Sequence, residues 1–151
     1  MNLSEHFTLE EMSDSVYAKL HGLDNTPPPE AVEELRKLCI EILEPIRALN
    51  GKPIDIDVAY RSAEVNRGVG GVPTSQHQIG QAADFVVVGV SHKSLMNQII
   101  ASSIPFDQLI YEHGEGGWIH VSRRDLPRRQ ALQSPDGKHY TTFVPQGTGV
   151  S

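Results

Sequence analysis

Between Pro28 and Leu49 the apolar residues Val32, Leu35, Leu38, Cys39, Ile42, Leu43, Ile46 and Leu49 recur at helical spacing on one face. This stripe constrains the fold more than any other stretch, because a helix with one apolar face must bury it against a core. Prolines at its start suit a first turn, and Asn50-Gly51 suits its end. Pro45 inside the pattern predicts a kink or a break. Upstream, Thr8 and Glu11 form a capping-box pair that opens a short helix, and a loop ending in NTPPPE follows. Downstream, the pattern changes to strands. IDIDVA (54–59) alternates as a half-buried strand should, AADFVVVG reads as a buried strand, and FDQLIYE and WIHVS read as a hairpin around HGEGG. Residues 61–81 read as loop, with a short helix near Ala63 to Gly68. Ser91 caps an expected helix over 92–102, with Leu95, Ile99 and Met96 inward. Near the C-terminus YTTFV is a further candidate strand, followed by a polar end expected to fray. Helices mostly precede a run of strands, so the expected fold class is α+β rather than a doubly wound sheet.

The 151 residues suit a single domain with one core. A formal net charge of −6 gives the chain no electrostatic footprint for nucleic acid or anionic lipid. No apolar run approaches the ~18 residues of a membrane span. The N-terminal MNLSEHFTLEEM lacks the basic start and apolar stretch of a signal peptide. Synthesis in the cytoplasm is therefore expected, with any action outside it following lysis, dedicated export or incorporation in a particle. The single cysteine, Cys39, excludes an intrachain disulfide and a multi-cysteine zinc site, and it reads as core packing.

The chemistry concentrates in SQHQIGQAADF (75–85). His77 lies on a glycine-flanked loop and Asp84 at the start of a strand. Gly80 permits a sharp turn between them, and Ala82 and Ala83 leave room beside it. A zinc site needs three or four N, O or S donors converging on the ion. His120 in WIHVS is the candidate third donor, because a strand fixes its side chain toward one face. Two histidines and one carboxylate leave a position open for water, the catalytic rather than the structural pattern. If Glu112 pairs with Trp118 across the HGEGG turn, Glu112, Trp118 and His120 share a face. Glu112 is then the candidate general acid/base, with Glu115 in the turn as the alternative. Arg61, at the end of the IDIDVAY strand, can hold a carboxylate with two bonds or polarise a peptide carbonyl. Ser75 is placed to hydrogen-bond near the metal or to substrate, and Tyr60 reads as packing. The arginine-rich SRRDLPRRQ is either a contact for an anionic polymer or a solvated loop.

Taken together, AYRSAEVNRGVGGVPTSQHQIGQAADF and FDQLIYEHGEGGWIHVS resemble the M15 zinc peptidases, in particular the D-Ala-D-Ala carboxypeptidase-like group that includes phage endolysins. The resemblance covers roughly residues 2–123 and includes the upstream LEPIRALNGKPI, leaving a C-terminal extension over 124–151. It implies a small antiparallel sheet flanked by helices, hedgehog/DD-peptidase-like. It also implies one Zn2+ per chain held by His77, Asp84 and His120, and Arg61 as the arginine that binds substrate or stabilises the transition state. Some members of that group place a glutamate three residues before the last histidine ligand. That position is Gly117 here, so the acid/base role must fall to a residue outside that spacing, Glu112 first.

The resemblance implies hydrolysis of the stem peptides of bacterial peptidoglycan, at D-Ala-D-Ala or at L-Ala-D-Glu. An arginine suits either a free terminal carboxylate or D-Glu, so both bonds remain open. A phage or prophage lysis enzyme and a phage structural component are both compatible with this reading. The expected partner is the stem peptide, with no nucleic acid, no membrane insertion and a monomer favoured. Two rivals stand beside the peptidase: a non-catalytic, zinc-stabilised wall-binding or particle-assembly domain, and a zinc amidase acting at the sugar–peptide junction.

Overall fold

The computed structural model describes residues 1–145; the polar end expected to fray, 146–151, lies outside them. Thr8 opens α1 (Leu9–Met12) with the expected capping box, its Oγ1 accepting from the Glu11 amide. A second helix, α2 (Val16–His21), stands where a loop was expected. Ser15 caps it, and Gly22 ends it at φ +64. Its apolar residues gave no stripe to read, because Val16 and Leu20 face solvent and only Ala18 is buried.

The long apolar stripe forms α3 (Pro29–Leu38), a π-helical turn (Cys39–Leu43) and α4 (Glu44–Asn50) in unbroken succession. The Pro45 kink or break thus takes the form of a π turn. A proline has no N–H, and its ring clashes with the carbonyl four residues back. The wider turn, with the Glu44 amide reaching back to the Cys39 carbonyl, absorbs that mismatch just before the proline. Gly51, at φ +63, ends the run.

The strands are β1 (Ile54–Val58), β2 (Ala82–Val87), β3 (Gln108–Glu112), β4 (Trp118–Ser122), β5 (Gln130–Ser134) and β6 (Thr141–Thr142). They form one six-stranded sheet in the order β1-β2-β4-β3-β5-β6. Every neighbouring pair is antiparallel except β3 and β5, so the C-terminal segment adds one parallel pair to the expected antiparallel sheet. Two further helices, α5 (Ala63–Gly68) and α6 (His92–Ala101), lie where the sequence places them, and Ser91 caps α6.

Alternation along the strands sorts the two faces. Ala83, Phe85 and Val87 of β2, Ile119 and Val121 of β4 and Leu109 of β3 join the hydrophobic core. There they meet Leu35, Leu38, Ile42, Leu43 and Ile46 of the long helix and Leu95, Met96 and Ile99 of α6, all at most 1% exposed. Cys39 packs in this core, and burial pushes its thiol up to about 12, leaving it inert. The residues between these core positions, among them Asp84, His120, Ile110 and Glu112, point to the other face. Tyr60 is buried, as expected.

Residues 124–129 form an exposed loop, as one of the two expectations had it, but the arginines of the segment are paired rather than free. Arg123 is buried against Glu34, Glu41 and Asp125, and Arg128 pairs with the fully buried Asp107 at 2.7 Å. Arg129 lies over the Phe106 ring and donates to backbone carbonyls of Ile100, Ser102 and Ile104. Opposite charges and carbonyls from distant segments neutralise the run, which no local pattern reveals.

Candidate metal centre

His77 sits in a single 3-10 turn, Gln76–Ile79. The Ser75 Oγ opens the turn by accepting from the His77 amide at 3.2 Å, and Gly80 closes it at φ +79. A Cβ at Gly80 would lie 2.5 Å from the Ala31 carbonyl oxygen, so only glycine lets the turn press against α3. The His77 Nδ1 lies 2.6 Å from the Ala59 carbonyl oxygen. A carbonyl only accepts, so Nδ1 donates and Nε2 keeps a free lone pair. That Nε2 faces Asp84 Oδ1 at 3.4 Å.

Asp84 and His120 are directly opposite on β2 and β4. The His120 Nδ1 lies 2.9 Å from the same Asp84 Oδ1. The two imidazole rings stand edge to face, 5.2 Å apart. Burial acts to raise the Asp84 carboxyl, but the His77 and His120 imidazoles beside it outweigh that effect. The group is held well below the usual carboxylate range and stays ionised. Ligand atoms of all three residues lie within 4.8 Å of one another. Around a tetrahedral zinc, neighbouring donors stand about 3.4 Å apart. Two imidazoles and one ionised carboxylate at these spacings fit zinc and leave a fourth position free.

Arg61 approaches from the segment after β1. Its amide donates to the His77 carbonyl at 3.0 Å, and its Nη2 lies 3.4 Å from Ser75 Oγ. Ser75 therefore joins the arginine to the His77 turn. Burial lowers the Arg61 pKa, while the charges of Asp84 and Glu112 act to hold the proton. Its Nε is buried and has no hydrogen-bond partner among the described residues.

Glu112 is paired with Trp118, in the register anticipated from the sequence. Ile110, two residues before Glu112, stands opposite His120. Glu112 and His120 are thus diagonal neighbours on one face, about 7–8 Å apart at Cα and within reach of a long side chain. Trp118 stacks at a tilt on His113, 5.0 Å between centroids, and its Nε1 is buried without a hydrogen-bond partner among the described residues.

The structure does not bring Glu115 to this face. Its carboxylate accepts from the His92 and Lys93 amides at 2.8 and 2.9 Å, and from the Tyr111 hydroxyl at 2.6 Å. Tyr111 belongs to the core side of β3, so Glu115 is turned toward the start of α6. Nor can position 117 supply a glutamate. A Cβ there would lie 1.9 Å from the Glu112 carbonyl oxygen, so the tight end of the hairpin requires Gly117.

Three supports escaped the sequence reading. Asn25 clamps the backbone on both sides of Arg61, donating to the Tyr60 carbonyl at 3.1 Å and accepting from the Ser62 amide at 2.7 Å. Gln76 donates to Asp107 at 3.1 Å, which ties the His77 turn to the start of β3. Tyr140, from the C-terminal segment, places its hydroxyl 3.3 Å from Glu112 Oε1. Each acts across a long stretch of chain, and no local spacing announces it. A cavity of about 420 Å³ between α1, α2 and the segment Leu23–Pro27 contains no member of the cluster and touches this machinery through Asn25.

A family model described as Peptidase M15 matches residues 5–122. The matched stretch contains Arg61, His77, Asp84, Glu112 and His120 and stops short of β5. No curated protein matches the chain.

Proposed function

The chain belongs to the M15 peptidase family, a family of zinc-dependent hydrolases, and from that membership we propose that it is a zinc metallopeptidase cutting the stem peptides of bacterial peptidoglycan. The bond is D-Ala-D-Ala, as in a carboxypeptidase, or L-Ala-D-Glu, as in an endopeptidase. The observation that carries this reading is the convergence of His77 Nε2 and His120 Nδ1 on one oxygen of an ionised, buried Asp84. These three residues would hold the zinc, which supplies Lewis acidity toward the scissile carbonyl and makes water a competent nucleophile near neutral pH.

The other roles belong to side chains already on this face. The Arg61 guanidinium, with a buried Nε lacking a hydrogen-bond partner among the described residues, takes its missing acceptor from the substrate, either a carboxylate or the developing oxyanion. Ser75 and Asn25 keep that guanidinium in place. The Glu112 carboxylate accepts a proton from the attacking water and returns it to the leaving amine. Trp118, opposite Glu112 on β4, would contact the bound peptide.

One observation favours a second reading. Gly117 occupies the position where some M15 members carry a glutamate, and a protein whose Glu112 did not serve as base would be a zinc-stabilised binding domain. Two measurements decide. Elemental analysis of wild type and His77→Ala should give about one zinc per chain and a loss of it in the variant. Digestion of purified peptidoglycan should then release D-Ala or expose a new D-Glu N-terminus, and Glu112→Gln should slow that reaction by a factor of about 10²–10⁴. A new L-Ala N-terminus would indicate an amidase instead. Zinc without any new terminus would leave the binding domain.

A further inference from the structure

The segment after the family-matched stretch folds back onto Glu112. Strand β5 runs parallel to β3, with Ser134 opposite Glu112, and the His113 amide donates to the Ser134 carbonyl at 2.9 Å. The chain then turns sharply. Asp136 Oδ1 accepts from the Lys138 and His139 amides, both at 2.8 Å, and its Oδ2 meets His139 Nδ1 at 2.5 Å. Gly137, at φ +72, packs its bare Cα against the His113 ring, where a Cβ would come within 2.8 Å of Nε2. This turn returns Tyr140 to the site, with its hydroxyl 3.3 Å from Glu112 Oε1 and 3.3 Å from the Gly137 carbonyl oxygen.

We propose that Tyr140 is a positioning residue for the acid/base: its hydroxyl holds the Glu112 carboxylate on the face of the metal cluster, so the segment beyond residue 122 is part of the active site. The inference rests on the function proposed above. Both atoms near the hydroxyl are acceptors, so the phenol is the donor. It also stays protonated. Burial, the charge and hydrogen bond of Glu112, and the charges of Asp136 and Asp84 all push its pKa upward. Glu112 is a three-torsion side chain on a strand end, and its cross-strand partner on β4 is Trp118, whose Nε1 makes no hydrogen bond among the described residues. Without the tyrosine, the carboxylate samples rotamers that point away from the water it must deprotonate.

The test is a double-mutant cycle in the full chain loaded with zinc, with a soluble stem peptide as substrate. Tyr140→Phe keeps the ring and removes the hydroxyl. It should lower kcat about tenfold and leave KM within about twofold, the size expected for one lost bond to a charged group. In the Glu112→Gln background the same change should add nothing, because the tyrosine acts through the carboxylate. An unchanged melting temperature in Tyr140→Phe excludes a packing origin. A readout independent of turnover is tyrosinate absorbance during alkaline titration, with Tyr140 identified by difference from Tyr140→Phe. Its midpoint should fall in Glu112→Gln.

If Tyr140→Phe keeps full kcat while Glu112→Gln is slowed, or if the phenol titrates identically with and without the carboxylate, the inference is overturned and the peptidase stands. If wild type carries zinc but cuts no stem peptide, the proposed function fails, and the inference fails with it.

Discussion

Two glutamates three residues apart do different work because a strand and a turn point them to opposite sides of the sheet. Glu112 ends β3 on the face of His120, whereas Glu115 caps the start of α6 through two backbone amides. Glu112→Gln should therefore cost turnover, by a factor of about 10²–10⁴, with zinc content and melting temperature preserved. Glu115→Gln should do the reverse, keeping turnover and losing about 1 kcal/mol of stability, a small figure because the group is exposed. Its pH dependence has a definite sign. Burial acts to raise the Glu115 pKa, but the hydrogen bonds from Tyr111, His92 and Lys93 outweigh it and lower the pKa from 4.5. A depressed carboxylate stabilises the fold above its unfolded value, and the contribution disappears as pH falls through the folded value. Thermal melts of wild type and Glu115→Gln should differ at neutral pH and converge as the solution is taken below pH 4.5. A gap that stayed constant with pH would mean the carboxylate charge contributes nothing.

At the scale of elements, the site depends on a strut. Asp107, fully buried just before β3, accepts from the Arg128 amide and guanidinium and from Gln76 beside His77. Removing Arg128 leaves a buried carboxylate short of its main partner. We expect Arg128→Ala to destabilise the fold by about 2 kcal/mol, less than for a fully buried pair because the arginine is partly exposed. Chemical denaturation would measure it, and an unchanged midpoint would reduce the ion pair to decoration. This strut also shows what a sequence can and cannot disclose. The long helix, β1, β2, the β3–β4 hairpin and α6 were legible because each carries its own period and its own caps. His77, Asp84 and His120 were legible because one short motif and one strand hold them. By contrast, β5 was not, since QALQS has no alternation of its own and becomes a strand only by pairing with β3. Asn25, Gln76, Asp107 and Tyr140 were missed for the same reason. Each is an ordinary polar residue until the fold brings its partner, and each has a partner 28 or more residues away.

For the whole molecule, the question is where the functional unit ends. The family match closes at residue 122, yet the described chain continues through β5 and β6 and completes the sheet. Three observations argue that this continuation belongs to the folding unit. Phe143 is 3% exposed and joins the core. Arg128 and Arg124, both beyond the match, pair with the buried Asp107 charge under β3. The outer edge of β3 is covered by β5 over its full length, and an uncovered edge next to the acid/base strand invites pairing with a second chain. A chain ending after Arg123 should therefore lose its cooperative thermal transition, aggregate on concentration and fail to retain zinc. Circular dichroism melts, light scattering and elemental analysis on that truncation would decide. A truncated chain that melts cooperatively and binds zinc like the full chain would make the C-terminal segment an appendage. Loss of all three properties would make the last two strands a condition for the metal site, although they supply none of its ligands.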